Sequence, residues 1–262
     1  MLDANQLLGE AKKITGLSSL GNPLFEEGFN KLVYSINNEA DLNDIGIQAQ
    51  HHRLIGVLSN MLRIEDAVIN HPEILNEQIV APIVIVGLPR TGSTMTHRLL
   101  AADPRHTAML WWEGRYPAML PNEDRGNPSE RMALGKAEVD AVVAASPEAL
   151  TIHPWDYKGA DEEILLLEHT FFSTVPESFM RLPSYSSWVE DQDHIHAYNQ
   201  LKIMLQYLQW QNPGREKKRW VLKSPHHLGF IDKLLMVFPD SKVIQTHRDP
   251  QKTVPSFCSM CA

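Results

Sequence analysis

The sequence has few cysteines and no long apolar run, and each shortage excludes a class of protein. Its two cysteines, Cys258 and Cys261, lie together near the end of the 262 residues, so a disulfide framework is excluded. No second pair of ligands accompanies their C-x-x-C spacing, which favours thiols on a helix over a zinc site. No apolar run reaches the roughly 18 residues of a membrane span, and the first residues do not resemble a signal peptide. We therefore expect a cytoplasmic protein without a membrane span.

Basic residues are also in short supply. The 24 Lys and Arg residues are outnumbered by 32 Asp and Glu residues, which gives a formal net charge of −8. This balance argues against a nucleic-acid partner, since broad binding of a polyanion needs a basic surface. Any polyanionic ligand would need a local pocket of positive charge. The 43% of hydrophobic residues suffices for a sizeable core.

Hydrophobic patterns divide the chain into two predicted domains. Residues 1–80 show apolar positions at steps of three and four, which predicts a helical region. Residues 81–262 contain three short apolar runs typical of buried strands, near 82–87, 220–223 and 242–246. Helices are predicted between and around the strands, at 95–102, 129–145, 161–172, 193–210, 228–238 and from 249 onward. The alternation predicts an α/β fold: a P-loop-like, doubly wound parallel sheet flanked by helices, with an N-terminal helical extension. Because the chain stops within a predicted helix, we expect this domain to be C-terminally incomplete.

The segment after the first strand has the pattern of a phosphate loop. Gly87 and Gly92 hold the glycine spacing of the G-x-x-x-x-G-K-[ST] loop, and a hydroxyl pair, Ser93 and Thr94, follows at the start of a helix. Backbone N–H groups at such a helix start bind anions. Ser93 stands where nucleotide-triphosphate loops carry lysine, which disfavours ATP or GTP hydrolysis. The loop's cation comes earlier, as Arg90.

A second cationic position follows the third strand. Arg248 lies just beyond residues 242–246, and Ser256 follows it by eight residues on the next helix. Ligands of open α/β sheets bind beyond the carboxyl ends of the strands, so we expect Arg248 at the same rim as the phosphate loop. An arginine fork and a serine hydroxyl could hold a second phosphate there.

Three segments together resemble the sulfotransferase family, in particular its bacterial-type branch: residues 88–94, the Leu-Lys-Ser-Pro-His-His-Leu run at 222–228, and Arg248 with Ser256. The resemblance implies an enzyme that moves a sulfonate group from 3′-phosphoadenosine 5′-phosphosulfate to a hydroxyl or amine. It implies that the 5′-phosphosulfate is bound by Arg90, Thr91, Gly92, Ser93 and Thr94. It implies that the 3′-phosphate is bound by Arg248 and Ser256.

The sequence departs from the cytosolic branch of that family. Arg90 replaces its loop lysine, and Met95 stands where that branch often stacks a tryptophan on adenine. The late basic, glycine-containing segment that completes the 3′-phosphate site does not occur in this sequence.

Sulfonate transfer needs cations near the bridging oxygen and a base near the acceptor. We expect Arg90 and Lys223 to supply the cations and His227 to be the base, because neutral histidine accepts protons near pH 7. Glu162 and Glu163 are rival bases, although acids at a helix start also complement the helix dipole. The scheme requires no metal.

Two other functions stay open at this stage. A P-loop nucleotide kinase or other phosphotransferase would need the loop lysine and a Mg²⁺-binding acid. A truncated module could bind the nucleotide without turnover. The expected partner of the enzyme is a small-molecule, glycan or lipid acceptor, and neither its identity nor the oligomeric state follows from the sequence.

Overall fold

A computed structural model describes residues 1–148, 150 and 155–261, without the side chains of residues 260 and 261. Residues 149, 151–154 and 262, the last of which belongs to the predicted helix that starts at 249, thus lie outside the described residues. In chain order the described helices are α1 (Ala4–Thr15), α2 (Pro23–Glu39), α3 (Asp44–Asn70), α4 (Ser93–Ala101), α5 (Trp111–Arg115), α6 (Ser129–Ala145), α7 (Ile164–Glu168), α8 (Pro183–Glu190), α9 (Ile195–Gln211), α10 (Ile231–Val237) and α11 (Pro250–Cys261). The strands are β1 (Ile83–Val86), β2 (His106–Thr107), β3 (Arg219–Lys223) and β4 (Lys242–Gln245).

The chain forms two compact units whose division differs from the predicted domains. One unit comprises Met1–Asn76 with Ile164–Met204, and the other comprises Glu77–Glu163 with Leu205–Ala262. The predicted domain boundary lies at residue 80, and the chain first passes from one unit to the other between Asn76 and Glu77. The predicted α/β domain at 81–262, however, is interrupted by a long helical insertion that packs with the N-terminal helices.

Close packing explains why the insertion joins the first unit. Gly28 of α2 lies so near the insertion that an added Cβ would be 2.9 Å from the carbonyl oxygen of Phe171. The ring of Phe29 lies 5.1 Å from the ring of Phe171, centroid to centroid. Arg53 of α3 binds the carboxylate of Glu168 through Nε and Nη2, each at 2.7 Å. These contacts join positions more than a hundred residues apart, which local sequence patterns do not reveal.

Side-chain caps start the N-terminal helices. The Asn22 side chain accepts a hydrogen bond from the Leu24 amide at 3.0 Å, and Pro23 occupies the first position of α2. Asn43 caps α3 by accepting from the Gly46 amide at 2.9 Å. Asp41, two residues before this cap, lies outside the helix with a φ of 48°. α3 ends at Asn70, two residues before Pro72.

Within the described residues of the second unit, four parallel strands form a sheet in the order β2-β3-β1-β4. Ile83 of β1 is in register with Val221 of β3 and with Lys242 of β4. The predicted α/β class and parallel sheet are therefore confirmed. β1 is buried throughout, as its continuous apolar run indicated, whereas β4 is an exposed edge. β2 was not predicted because two residues carry no detectable pattern.

The register brings the carboxyl ends of three strands to one rim of the sheet. Beyond this rim the chain continues into Gly87 after β1, Ser224 after β3 and Thr246 after β4. The predicted helix at 228–238 begins only at Ile231, since Ser224 and Pro225 start a separate 3-10 turn. The rim is thus lined by short loops that carry most of the polar residues singled out by the sequence.

The predicted helix at 161–172 is much shorter than expected. Helical structure in this segment is limited to α7, and no acidic residue lies in its first turn. Glu162, which has no regular secondary structure, and Glu163, which lies in a turn, precede it. Their interpretation as acids that complement a helix dipole is wrong, and their partners are described below.

No helix among the described residues is both long and apolar enough to cross a membrane.

Candidate active site

The loop between β1 and α4 has a backbone that few residues can adopt. Gly92 has a φ of 89°, in the left-handed region, and the non-glycine residue Arg90 has a φ of 69°. α4 begins directly afterwards at Ser93, so the first amide groups of that helix have no partner within the helix. The predicted strand, loop and helix are all present, and the loop presents amide hydrogens at the rim.

Thr91 fastens this loop to the neighbouring strand. Its hydroxyl donates to the carbonyl of Leu88 at 2.7 Å and lies 2.7 Å from the hydroxyl of Thr246, just after β4. The amide of Thr246 in turn donates to the carbonyl of Val86 at 2.8 Å. The sequence predicted contact between Thr91 and the ligand, whereas the structure gives its hydroxyl two protein partners.

Glycine is required at position 87, and replacing it tests the loop. A Cβ on Gly87 would collide with the side chain of Thr246 and lie 2.8 Å from its carbonyl oxygen. We expect Gly87→Ala to lower the free energy of unfolding by about 2 kcal/mol, because overpacking and the left-handed φ both oppose the side chain. Urea denaturation checks this. Gly56→Ala is the matched control, since a Cβ there meets nothing within 4 Å. Equal stability of Gly87→Ala and the wild type would contradict the close approach.

The two predicted arginines meet at this rim. Arg248 donates through Nη1 to the carbonyl oxygen of Arg90 at 3.1 Å, and Arg90 donates through Nε to the hydroxyl of Ser256 at 3.2 Å. The contacts follow from the topology, because β1 and β4 are adjacent parallel strands and both loops leave the same edge. Residues more than 150 positions apart in sequence thereby form one cluster.

Both guanidinium groups remain available to an anion. Arg90 and Arg248 are exposed, and neither pairs with a carboxylate in the part of the chain that the structure describes. Asp249, the nearest acid in sequence, accepts from the amide of Gln251 at 2.9 Å instead. Arg248 and Asp249 therefore form no ion pair, and both arginines of the rim are free of acidic partners among the described residues.

Lys223 extends the positive charge beneath the start of α4. Its side chain is only 2% exposed, and Nζ donates to the hydroxyl of Thr94 at 3.2 Å. The same ammonium group forms an ion pair with the carboxylate of Glu162. Lys223, the last residue of β3, thus contacts the start of α4, and its predicted role as a cation near the bridging oxygen stays a prediction.

Glu163 and His227 form a buried pair behind Lys223. One carboxylate oxygen of Glu163 contacts His227 Nε2, and the other accepts the backbone N–H of Lys223 at 2.8 Å. Burial alone would raise the pKa of Glu163. The hydrogen bond and charge of His227, with the Lys223 amide, outweigh burial and hold this pKa below its ordinary value. Glu163 is therefore ionised and fixed in place.

Two adjacent tryptophans before the second half of the chain are buried. Trp111 and Trp112, in α5, are 4% and 2% exposed. Glu113 beside them caps the Leu110 amide at 2.9 Å and pairs with Arg215 at 2.8 Å. These residues anchor their segment to the core of the second unit.

Comparison with known proteins places this geometry in a family. A family model described as the sulfotransferase family matches residues 82–262. The chain belongs to the sulfotransferase family. The match covers the phosphate loop, β3, β4 and α11, and the resemblance noted in the sequence is thereby confirmed.

Curated sulfotransferases from two mycobacteria resemble the chain. Each is named omega-hydroxy-beta-dihydromenaquinone-9 sulfotransferase Stf3, one from Mycobacterium bovis and one from Mycobacterium tuberculosis. Both are 29% identical over 199 residues, which cover 69% of this chain and 45% of each relative. The chain thus spans less than half the length of these relatives.

Solved sulfotransferase structures share the fold. Sulfotransferase STF1 from Mycobacterium tuberculosis H37Rv has a TM-score of 0.80 at 29% identity, covering 99% of this chain and 71% of that one. Sulfotransferase STF9 from Mycobacterium avium has a TM-score of 0.85 at 28% identity, covering all of this chain and 66% of that one.

Proposed function

We propose that this chain carries the nucleotide-binding and catalytic core of a sulfotransferase that uses 3′-phosphoadenosine 5′-phosphosulfate. The observation that supports this most directly is the meeting of Arg90 and Arg248 at one rim, with Ser256 between them. A nucleotide with phosphates at both ends of its ribose needs two anion-binding positions within its own length. Family membership supports the same donor.

We assign one phosphate position to the loop after β1 and the other to the residues after β4. The 5′-phosphosulfate is assigned to Arg90, the hydroxyls of Ser93 and Thr94, and the backbone amides that begin α4. The 3′-phosphate is assigned to Arg248 and Ser256. Two features support this fit of the nucleotide to the rim. The guanidinium groups of Arg90 and Arg248 are exposed and have no acidic partners among the described residues, and α4 begins at the same rim.

The chemistry is an in-line displacement at sulfur. Negative charge grows on the 5′-phosphate oxygen that leaves, and nearby cations stabilise it. Lys223, buried and in contact with Thr94 of the loop, and Arg90 are the groups proposed for this role. A cation held by the fold in advance stabilises developing charge without first having to reorganise.

The acceptor is proposed to be a hydroxyl group on a small, lipid-like molecule. The support is the name of the mycobacterial relatives, omega-hydroxy-beta-dihydromenaquinone-9 sulfotransferase, which specifies a hydroxylated menaquinone as their acceptor. No described cluster of three or more His, Cys, Asp or Glu side chains could hold a metal ion.

Nucleotide binding separates this function from a phosphotransferase. By calorimetry we expect 3′-phosphoadenosine 5′-phosphate to bind at least about tenfold more tightly than ATP with Mg²⁺, because the loop lacks the phosphate-binding lysine and offers a second anion position. Adenosine 5′-phosphate is the control for the 3′-phosphate. Tighter binding of ATP with Mg²⁺ would favour the phosphotransferase instead.

A further inference from the structure

The second unit contains a cavity that lies away from the phosphate loop. Its volume is about 370 Å³, which is in the range of binding sites for small molecules. The cavity lies where α4 ends at Ala101 and where β2 and β3 begin, at His106 and Arg219. The phosphate loop is at the other end of α4, about 12 Å away along a helix of this length. The cavity is therefore separate from the rim that carries Arg90 and Arg248.

Positive charge dominates the lining of this cavity. Among the described lining residues, four are cationic and a single one, Asp156, is a carboxylate. The four cations are Arg98, Lys158, Arg215 and Lys218. One of these charges is offset, since Arg215 pairs with the carboxylate of Glu113 at 2.8 Å. Four cations against two carboxylates leave a local surplus of positive charge, in a chain whose formal net charge is −8.

The two lysines of the lining carry charges that the protein does not offset. Lys158 and Lys218 are exposed, and neither ammonium group has an acidic partner among the described residues. Asp156 accepts the backbone N–H of Lys158 at 2.9 Å, and the ammonium nitrogen of Lys158 lies 5.5 Å from the ring centroid of Tyr157. An aromatic ring steadies a cation without neutralising it. An anion that enters the cavity therefore meets two available ammonium groups.

Main-chain hydrogen bonds hold one wall of the cavity in place. The amide of Trp111 donates to the carbonyl of Gly159 at 3.0 Å, and the amide of Gly159 donates to that of Asp156 at 2.9 Å. Glycine also lets a cation approach this wall, because a Cβ at position 159 would lie 2.8 Å from Nη2 of Arg98. A site that is shaped before binding loses less conformational freedom when its ligand enters.

We propose that this cavity binds a small organic phosphate monoester, at a site additional to the proposed nucleotide site. Such a group carries close to two negative charges near pH 7, which matches the two ammonium groups that lack acidic partners. The methyl groups of Ala101, Ala102 and Ala108 belong to the same lining and can contact the carbon skeleton of the ligand. A sulfate monoester has one negative charge and is held less tightly. The proposal does not depend on the sulfotransferase reaction.

Binding of phenyl phosphate, measured by calorimetry, tests the proposal. We expect Lys158→Ala and Lys218→Ala each to raise its Kd about tenfold, because each removes a hydrogen bond between charged groups. Lys217→Ala is the matched control and should leave Kd within about twofold, since Lys217 is exposed, adjacent to Lys218 and outside the cavity lining. Phenyl sulfate should bind the wild type at least about fivefold more weakly than phenyl phosphate.

Saturation with 3′-phosphoadenosine 5′-phosphate locates the binding. Because that nucleotide is assigned to the rim, it should change the Kd of phenyl phosphate by less than about twofold. Phenyl phosphate should also shift the amide resonance of Gly159 in ¹H–¹⁵N spectra. Absence of binding, displacement by the nucleotide, an unmoved Gly159 resonance or a wild-type Kd in either lysine variant would overturn the proposal. Equal affinities for the phosphate and the sulfate would overturn the choice of a phosphate. A wild type that binds phenyl phosphate but not the nucleotide would overturn the proposed function and leave this site standing.

Discussion

Replacing Arg248 by alanine should weaken binding of 3′-phosphoadenosine 5′-phosphate about a hundredfold. A hydrogen bond between charged groups contributes about 1.5–3 kcal/mol, and loss of the upper value corresponds to that factor. Arg248 is exposed, and the one described hydrogen bond of its side chain goes to the Arg90 carbonyl, so the fold should tolerate the change. Calorimetry on the folded variant measures the affinity.

The 3′-dephospho nucleotide shows whether Arg248 contacts the assigned phosphate. Adenosine 5′-phosphate should bind the variant and the wild type with affinities within about threefold of each other, because it lacks the group that Arg248 is proposed to hold. Arg105→Ala is the matched control, since Arg105 is 82% exposed and precedes β2. Equal losses for both nucleotides would remove the 3′-phosphate assignment and leave Arg248 as a general positive charge.

The sequence predicts β1 and its loop well because their signals are local. Four consecutive buried apolar residues, Ile83–Val86, lead directly into a glycine spacing and a helix start. The meeting of Arg90 and Arg248 was also predictable, although they lie far apart in the chain. Parallel strands end at a common edge, so two loops that follow adjacent strands are brought together by topology alone.

The structural roles of the acidic residues near Lys223 could not be predicted in the same way. Glu162 and Glu163 precede an apolar run, and local propensity interprets such acids as the first turn of a helix. Their partners Lys223 and His227 lie about sixty positions away, and these contacts hold both carboxylates outside α7. The insertion at Ile164–Met204 escaped prediction for the same reason, since its packing depends on distant aromatic residues.

Replacing Glu163 by glutamine should lower the free energy of unfolding by about 3 kcal/mol. The carboxylate accepts from two buried donors, His227 and the Lys223 amide. Glutamine is uncharged and has one acceptor oxygen, so it cannot accept from both donors while His227 Nε2 carries its proton. An unsatisfied buried partner of a charged pair costs about this much. Urea denaturation at neutral pH measures it, with the exposed Glu130→Gln as control, expected within about 0.5 kcal/mol of wild type.

The pH dependence identifies ionised Glu163 as the source of that stability. Its pKa is lower in the folded chain than the ordinary 4.5, so the unfolded chain binds the proton more readily. The stabilisation is complete above pH 4.5 and declines as the pH falls through the folded-state pKa, because protonation leaves the wild type with the same shortage of acceptors as the variant. The difference in the free energy of unfolding between wild type and Glu163→Gln should therefore become smaller at acidic pH. A gap that stays constant down to pH 3, or one below about 0.5 kcal/mol at neutral pH, would mean that the buried pair does not hold the end of β3 in place.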